Sequence, residues 1–173
     1  MTSVGDLNKP PFAYSGLTTA VITDGVTSVP DYIFKDCENL TSVTIPEGVT
    51  YIGSHAFYGC TNLINVTIPS TVTSIGDLNR PAFADTGLTT VVIADGATSV
   101  PDNAFKACGD LISVTIPASV ISIGSKAFND CTSLTTVIYN GITYTSKADI
   151  EAALTDANVT YDSNTSFPEF ATP

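Results

Sequence analysis

LTSVTIPEGVTYIGSHAFYGCTN, residues 40–62, is the stretch whose reading decides the fold. Its apolar side chains are Leu40, Val43, Ile45, Val49, Ile52, Ala56, Phe57 and Cys60, and the same places are apolar in the units around it, Thr86 apart. Cutting the chain before each Leu of an L-x-x-V-x-I pattern gives LTTAVITDGVTSVPDYIFKDCEN (17–39) before it and LINVTIPSTVTSIGDLNRPAFADTG (63–87) after it. LTTVVIADGATSVPDNAFKACGD (88–110), LISVTIPASVISIGSKAFNDCTS (111–133) and the partial unit LTTVIY (134–139) complete the series. Four units have 23 residues and one has 25. Self-similarity at such a period marks a repeat solenoid, in which a coil too short to fold alone buries its apolar face by stacking on its neighbours. Val43–Ile45 alternates as a strand does, and Val49 to Ile52 suggests a second short extended piece. Pro46, Gly48 and Gly53 mark corners, because they fix φ or permit unusual values of it.

A longer period lies over the short one. The extra residues of the long unit fall within GDLNRP (76–81), and the same hexapeptide recurs as GDLNKP at 5–10. Residues 2–72 align with 73–143 without gaps, and 41 of the 71 pairs are identical, so three coils have been duplicated. The solenoid is therefore assigned to 1–145 as two 71-residue copies, followed by a cap at 146–161 and a tail or linker at 162–173.

The string LxxVxIPxxVxxIGxxAFxxCxxL resembles the leucine-rich repeats of the BspA-like type over roughly residues 2–139, in six strand-bearing units. That resemblance implies a right-handed, β-rich leucine-rich-repeat horseshoe with a parallel sheet of about six strands on its concave side. Such repeats are found in many bacterial and some protist surface proteins and are associated with adhesion and with host or matrix protein binding. It also implies an extracellular or cell-surface location for the parent protein.

Composition narrows the function. A chain of 173 residues suits one domain. Six basic against seventeen acidic residues give a net charge of −11, which disfavours nucleic acid, since phosphate binders need a basic stripe. No apolar run approaches 18 residues, so membrane insertion is not expected. The stretch MTSVGDLNKP lacks a basic n-region and an apolar h-region, and no secretory signal is expected in it.

Few residues offer chemistry. Cys37, Cys60, Cys108 and Cys131 share one repeat position, without the short C-x-x-C spacing that zinc favours. Adjacent coils are close enough for a bridge, but stacked side chains point the same way, and Thr86 fills this position in the long unit; buried free thiols are the expectation. The lone histidine, His55, aligns with Lys126 and reads as a surface residue. Asp24 and Glu47 share a turn position and would stack one coil apart, but an exposed turn lacks the apolar setting that tunes a glycosidase pair. No catalytic residue, metal site or cofactor is expected.

The candidate recognition surface is the outward strand face. Alternation places Thr19 and Val21, Ser42 and Thr44, Asn65 and Thr67, Thr90 and Val92, Ser113 and Thr115, and Thr136 and Ile138 there. Asp77 and Arg80 of the insert add a charged pair, either as a bulged corner that accommodates a shorter turn or as a projecting contact. After Tyr139 the period stops, and SKADIEAALTDAN (146–158) reads as a helix capped by Ser146, with Asp149 completing the capping box and Ile150, Ala153 and Leu154 inward. No comparable cap precedes the first coil, where Val4 and Phe12 point inward; its edge is expected to be covered by another molecule, such as a second copy, by the tail, or by preceding residues of a longer chain. These features together suggest a non-enzymatic interaction or adhesion module with a protein or matrix ligand; the alternatives are a structural spacer and an enzyme acting on surface glycans.

Overall fold

The computed structural model describes residues 12–163 and 166–171. Each coil supplies a first strand: β1 (Thr19–Val21), β3 (Ser42–Thr44), β5 (Asn65–Ile68), β7 (Thr90–Ile93), β9 (Ser113–Ile116) and β11 (Thr136–Tyr139). Five coils add a shorter second strand: β2 (Ser28–Val29), β4 (Tyr51–Ile52), β6 (Ser74–Ile75), β8 (Ser99–Val100) and β10 (Ser122–Ile123). The expected single sheet of six parallel strands is divided. β5, β7, β9 and β11 pair in parallel, with Asn65, Thr90, Ser113 and Thr136 in register, while β1 and β3 form a separate pair. The second strands pair as β2-β4-β6 and β8-β10, interrupted where the insert separates β6 from β8. The two interruptions fall at different levels, so one ladder always ties the coils together where the other is broken.

The core is a stack of identical layers. In β5 and β7 the outward residues are exposed while Val66, Ile68, Val91 and Ile93 are buried, because successive strand side chains face opposite ways. Leu40, Leu63, Leu88, Leu111 and Leu134 are fully buried. Beside them runs a column of rings, Phe12, Phe34, Phe57, Phe83, Phe105, Phe128 and Phe167, with centroids 5.0–5.8 Å apart and planes within 24° of parallel. This spacing is close to the distance between hydrogen-bonded strands, about 4.8 Å, so the repeat puts each ring on the ring below.

The four cysteines are free and buried. Each thiol donates to the carbonyl of the preceding coil's phenylalanine: Cys37 to Phe12 at 2.9 Å, and Cys60, Cys108 and Cys131 to Phe34, Phe83 and Phe105 at 3.2 Å. Burial pushes the Cys60 and Cys131 thiols up to about 12, and Cys108 is also raised. Thr86 replaces the thiol with a 2.7 Å bond to the Phe83 carbonyl of its own turn.

The A-F turns are corners of an unusual kind. Most are bracketed by two left-handed residues, as in Tyr32 and Asp36, His55 and Gly59, Asn103 and Ala107, and Lys126 and Asp130. That geometry aims turn amides at the next coil, with Phe34 N donating to Ala56 O and Phe57 N to Ala82 O, both at 2.9 Å. Gly53, by contrast, serves close approach, since a Cβ there would collide with the backbone of Pro30 and Asp31.

Beyond Tyr139, Asn140 and Gly141 both adopt positive φ and turn β11 back into β12 (Ile142–Tyr144), which pairs antiparallel. Helix α1 (Lys147–Asp156) follows, with Ser146 at its N-cap accepting from Asp149 N at 3.2 Å and Ile150 and Leu154 buried. The end of the chain is more integrated than a linker. Phe167 is 2% exposed and stacks on Phe128, and Phe128 N donates to Ser166 O at 3.0 Å. Among the described residues the tail therefore packs on the last coil and not on the first. At the other end Phe12, 40% exposed, closes the ring column, and among the described residues β1 has a strand partner on one side only. Val4 and the loop at 5–10 lie outside the described residues.

Candidate functional site

The strand residues singled out from the sequence come together in two columns. Thr19 stands beside Ser42 on the β1-β3 pair, and Asn65, Thr90, Ser113 and Thr136 form one line across the larger sheet. Thr44 lies beside Val21; Thr67, Val92, Thr115 and Ile138 form the second line. Thr19, Thr44, Asn65, Thr67 and Thr90 are exposed, whereas Thr115 and Thr136, nearer the cap, are half-buried. Hydroxyls and methyls alternate on this face without a charge.

Asp77 and Arg80 do not join it. The Asp77 carboxylate accepts from the amides of Asn79 and Arg80 at 2.9 and 2.8 Å and from Ser54 Oγ at 3.0 Å, and Arg80 meets it at 2.9 Å. Burial works to raise Asp77, but these hydrogen bonds outweigh it and hold the carboxyl below its usual value. The insert is thus a self-satisfied corner. Arg80 also donates to Tyr32 Oη at 3.1 Å, a bond that together with the nearby charge of Asp77 raises its own pKa.

That contact leads to a second surface, on the A-F turns. His55 packs between Tyr32 and Tyr58, with centroids 5.6 and 4.7 Å away. Lys35 Nζ sits over the rings of Tyr14 and Tyr58 at 5.4 and 5.6 Å and donates to Tyr14 Oη at 3.1 Å, which raises its pKa. Burial, then the charges of Lys35 and Arg80, depresses His55. His55 is accordingly half-buried within an aromatic band, not the bland surface residue that its alignment with Lys126 suggested.

This band was legible and was missed. Tyr14, Tyr32, Tyr51, His55 and Tyr58 of the first copy correspond to Asp85, Asn103, Ser122, Lys126 and Asn129 of the second. Every aromatic residue in these outer slots is thus lost in a copy that keeps the framework.

Asp24 and Glu47 are both exposed, and Glu47 is engaged by Ser70, whose amide and hydroxyl donate to it at 3.2 and 3.0 Å. Among the described residues, no three His, Cys, Asp or Glu side chains converge as metal ligands, and no helix is long and apolar enough to cross a membrane.

A parallel stack of L-x-x-V-x-I coils on a leucine and phenylalanine spine defines a leucine-rich-repeat solenoid. The BspA type leucine-rich repeat region matches the sequence in six copies, over residues 5–135 and 77–161, and the chain belongs to that family. Repeats of this fold are typically non-catalytic, and proteins of the family are often surface proteins involved in protein interaction. Among solved structures, a leucine-rich repeat protein from Eubacterium ventriosum is 31% identical with a TM-score of 0.59, the match covering 71% of this chain and 33% of that one. The leucine-rich repeat protein of T. pallidum is 33% identical with a TM-score of 0.56, over 69% of this chain and 57% of that one. The match thus spans about a third of the first protein and somewhat over half of the second. No curated protein matches the chain.

Proposed function

We propose that this chain is a non-enzymatic interaction module, of the adhesion type, in a cell-surface or secreted protein. The observation that carries this reading is the strand face. Coil after coil presents small, uncharged hydroxyl and methyl groups in register on a scaffold whose positions are set by stacking, so contact with a ligand requires little ordering of the protein. The face lacks Tyr, Trp and Arg, the residues that dominate hot spots, so affinity for a protein or matrix ligand comes from many shallow contacts along the coils.

Surface plasmon resonance against immobilised extracellular-matrix glycoproteins tests this. Saturable retention is expected, weakened by Thr67→Arg on the strand face and unaffected by Asp24→Asn with Glu47→Gln. Retention of nothing at any concentration supports the spacer reading instead. Glycan turnover abolished by the paired Asp24 and Glu47 changes would overturn both.

A further inference from the structure

The two long coils share a defect that the other coils lack. From Phe12 to Leu17 and from Phe83 to Leu88 the chain advances five residues, whereas from Phe34 to Leu40, Phe57 to Leu63, Phe105 to Leu111 and Phe128 to Leu134 it advances six. The shorter corner leaves a notch against the following coil, and the notch occurs twice, 71 residues apart. The first is a groove of about 370 Å³ lined by Tyr14, Ser15, Gly16, Asp36, Glu38 and Asn39. The second, of about 210 Å³, is lined by the six equivalents and by Thr61 of the preceding coil; in it Asp85 replaces Tyr14, Ala107 replaces Asp36, Gly109 replaces Glu38 and Asp110 replaces Asn39.

The second notch shows what the scaffold alone requires: short or small residues. The first has been built up beyond that. Tyr14 is 72% exposed and sits at φ 59°, where a bulky side chain is disfavoured and the second copy keeps an aspartate at φ 56°. Glu38 and Asn39 are exposed, and among the described residues no hydrogen bond or ion pair takes up either side chain. The first groove falls within the ~300–1,000 Å³ of small-molecule sites and the second below it.

We propose that the first notch is a binding site for a neutral saccharide. Lys35 lies over one face of the Tyr14 ring, and the opposite face offers a flat apolar wall for the C–H face of a pyranose. Glu38 accepts from ring hydroxyls, and Asn39 both donates and accepts beside it. Asp36 and Glu38, on a chain of net charge −11, repel sialylated or sulfated sugars. A cationic ligand is also disfavoured, because Lys35 already holds that role, 3.4 Å from Asp36 and over the Tyr14 ring. The site lies among the turn residues and is independent of the strand-face reading, so either can fail alone.

Saturation-transfer NMR on the whole chain tests the proposal, with methyl β-galactoside, methyl β-glucoside, methyl α-mannoside, N-acetylglucosamine and N-acetylgalactosamine as probes, and with EDTA present. At least one neutral sugar is expected to receive saturation from the protein. Tyr14→Asp with Glu38→Gly, the residues that the second copy already carries, should weaken its binding at least tenfold while leaving the thermal midpoint unchanged. A gain-of-site variant covers the case in which that pair fails to fold: Asp85→Tyr with Gly109→Glu and Asp110→Asn should raise the stoichiometry toward two. No transfer to any of the five sugars, or binding that survives Tyr14→Asp with Glu38→Gly in a folded protein, would overturn it.

Discussion

Replacing Phe57 by alanine removes the middle of the ring column. Phe57 is fully buried and stacks on Phe34 at 5.3 Å and on Phe83 at 5.0 Å. A buried Phe→Ala change costs about 3–5 kcal/mol, and each aromatic pair contributes about 0.5–1.5 kcal/mol beyond burial. The gap cannot close readily, because the turns that carry the three rings are tied to one another by 2.9 Å bonds, Phe34 N to Ala56 O and Phe57 N to Ala82 O. The expected loss is therefore at the top of that range, about 4–5 kcal/mol. Phe12→Ala is the control: the ring is 40% exposed and, among the described residues, stacks on Phe34 alone, so about 1–2 kcal/mol is expected there. Urea unfolding followed by far-UV circular dichroism reads both as shifts of midpoint, and the slope reports whether the array still unfolds as one unit. Equal losses for the two variants, or a loss below about 2 kcal/mol for Phe57→Ala, would refute the argument that layers hold one another.

Further expectations follow from the ends and the thiols. Phe167→Ala should destabilise by about 3 kcal/mol or more, and ending the chain after residue 163 should do at least as much, because Phe167 caps the column; a neutral result in thermal melts would return this stretch to the status of a linker. Ser146→Ala should cost about 1 kcal/mol, read as a lower melting midpoint. The thiols should resist Ellman's reagent in the native protein and react once it is unfolded in urea; rapid native labelling of Cys60 or Cys131 would contradict their burial. Because burial raises these two thiols to about 12, the unfolded chain releases their protons from about pH 8.5 while the folded chain keeps them. Stability should accordingly hold below pH 8 and fall as the pH climbs through that window, and a urea midpoint unchanged between pH 8 and pH 10.5 would contradict it.

Residues 40–62 revealed the fold because a solenoid repeats its core pattern, and inward positions such as Leu40, Ile52 and Phe57 carry the same burden in every coil. The helix was legible for a local reason: Ser146 and Asp149 form a cap whose partners lie three residues apart. What escaped depends on contacts between distant coils. That Phe167 continues a column begun at Phe12 cannot be read from SNTSFPEFATP, which has no period. The division of the sheet between β3 and β5 has no counterpart in the repeat pattern, which is the same in both coils. The hairpin at Asn140-Gly141 had a sequence signal that pattern reading of strands alone passes over. The aromatic band and the first notch were also visible, but only by comparing the two 71-residue copies slot by slot and asking where the first departs from the second. Core positions were too alike to show it, and the informative residues, Tyr14, Tyr32, His55 and Tyr58, sit at outer turn positions that the repeated core pattern does not specify.

Native-state hydrogen exchange of individual amides tests the central claim most directly, because it reads cohesion coil by coil. If each layer is held by those above and below, the amides of Phe57 and Phe105, which donate to Ala82 and Ala127, should exchange only with global unfolding. Protection should then fall coil by coil toward Ser15 in the first described coil while Phe128, under the docked tail, stays slow. Protection that is uniform from Ser15 to Phe128, or central amides that exchange as fast as those of the first coil, would contradict it.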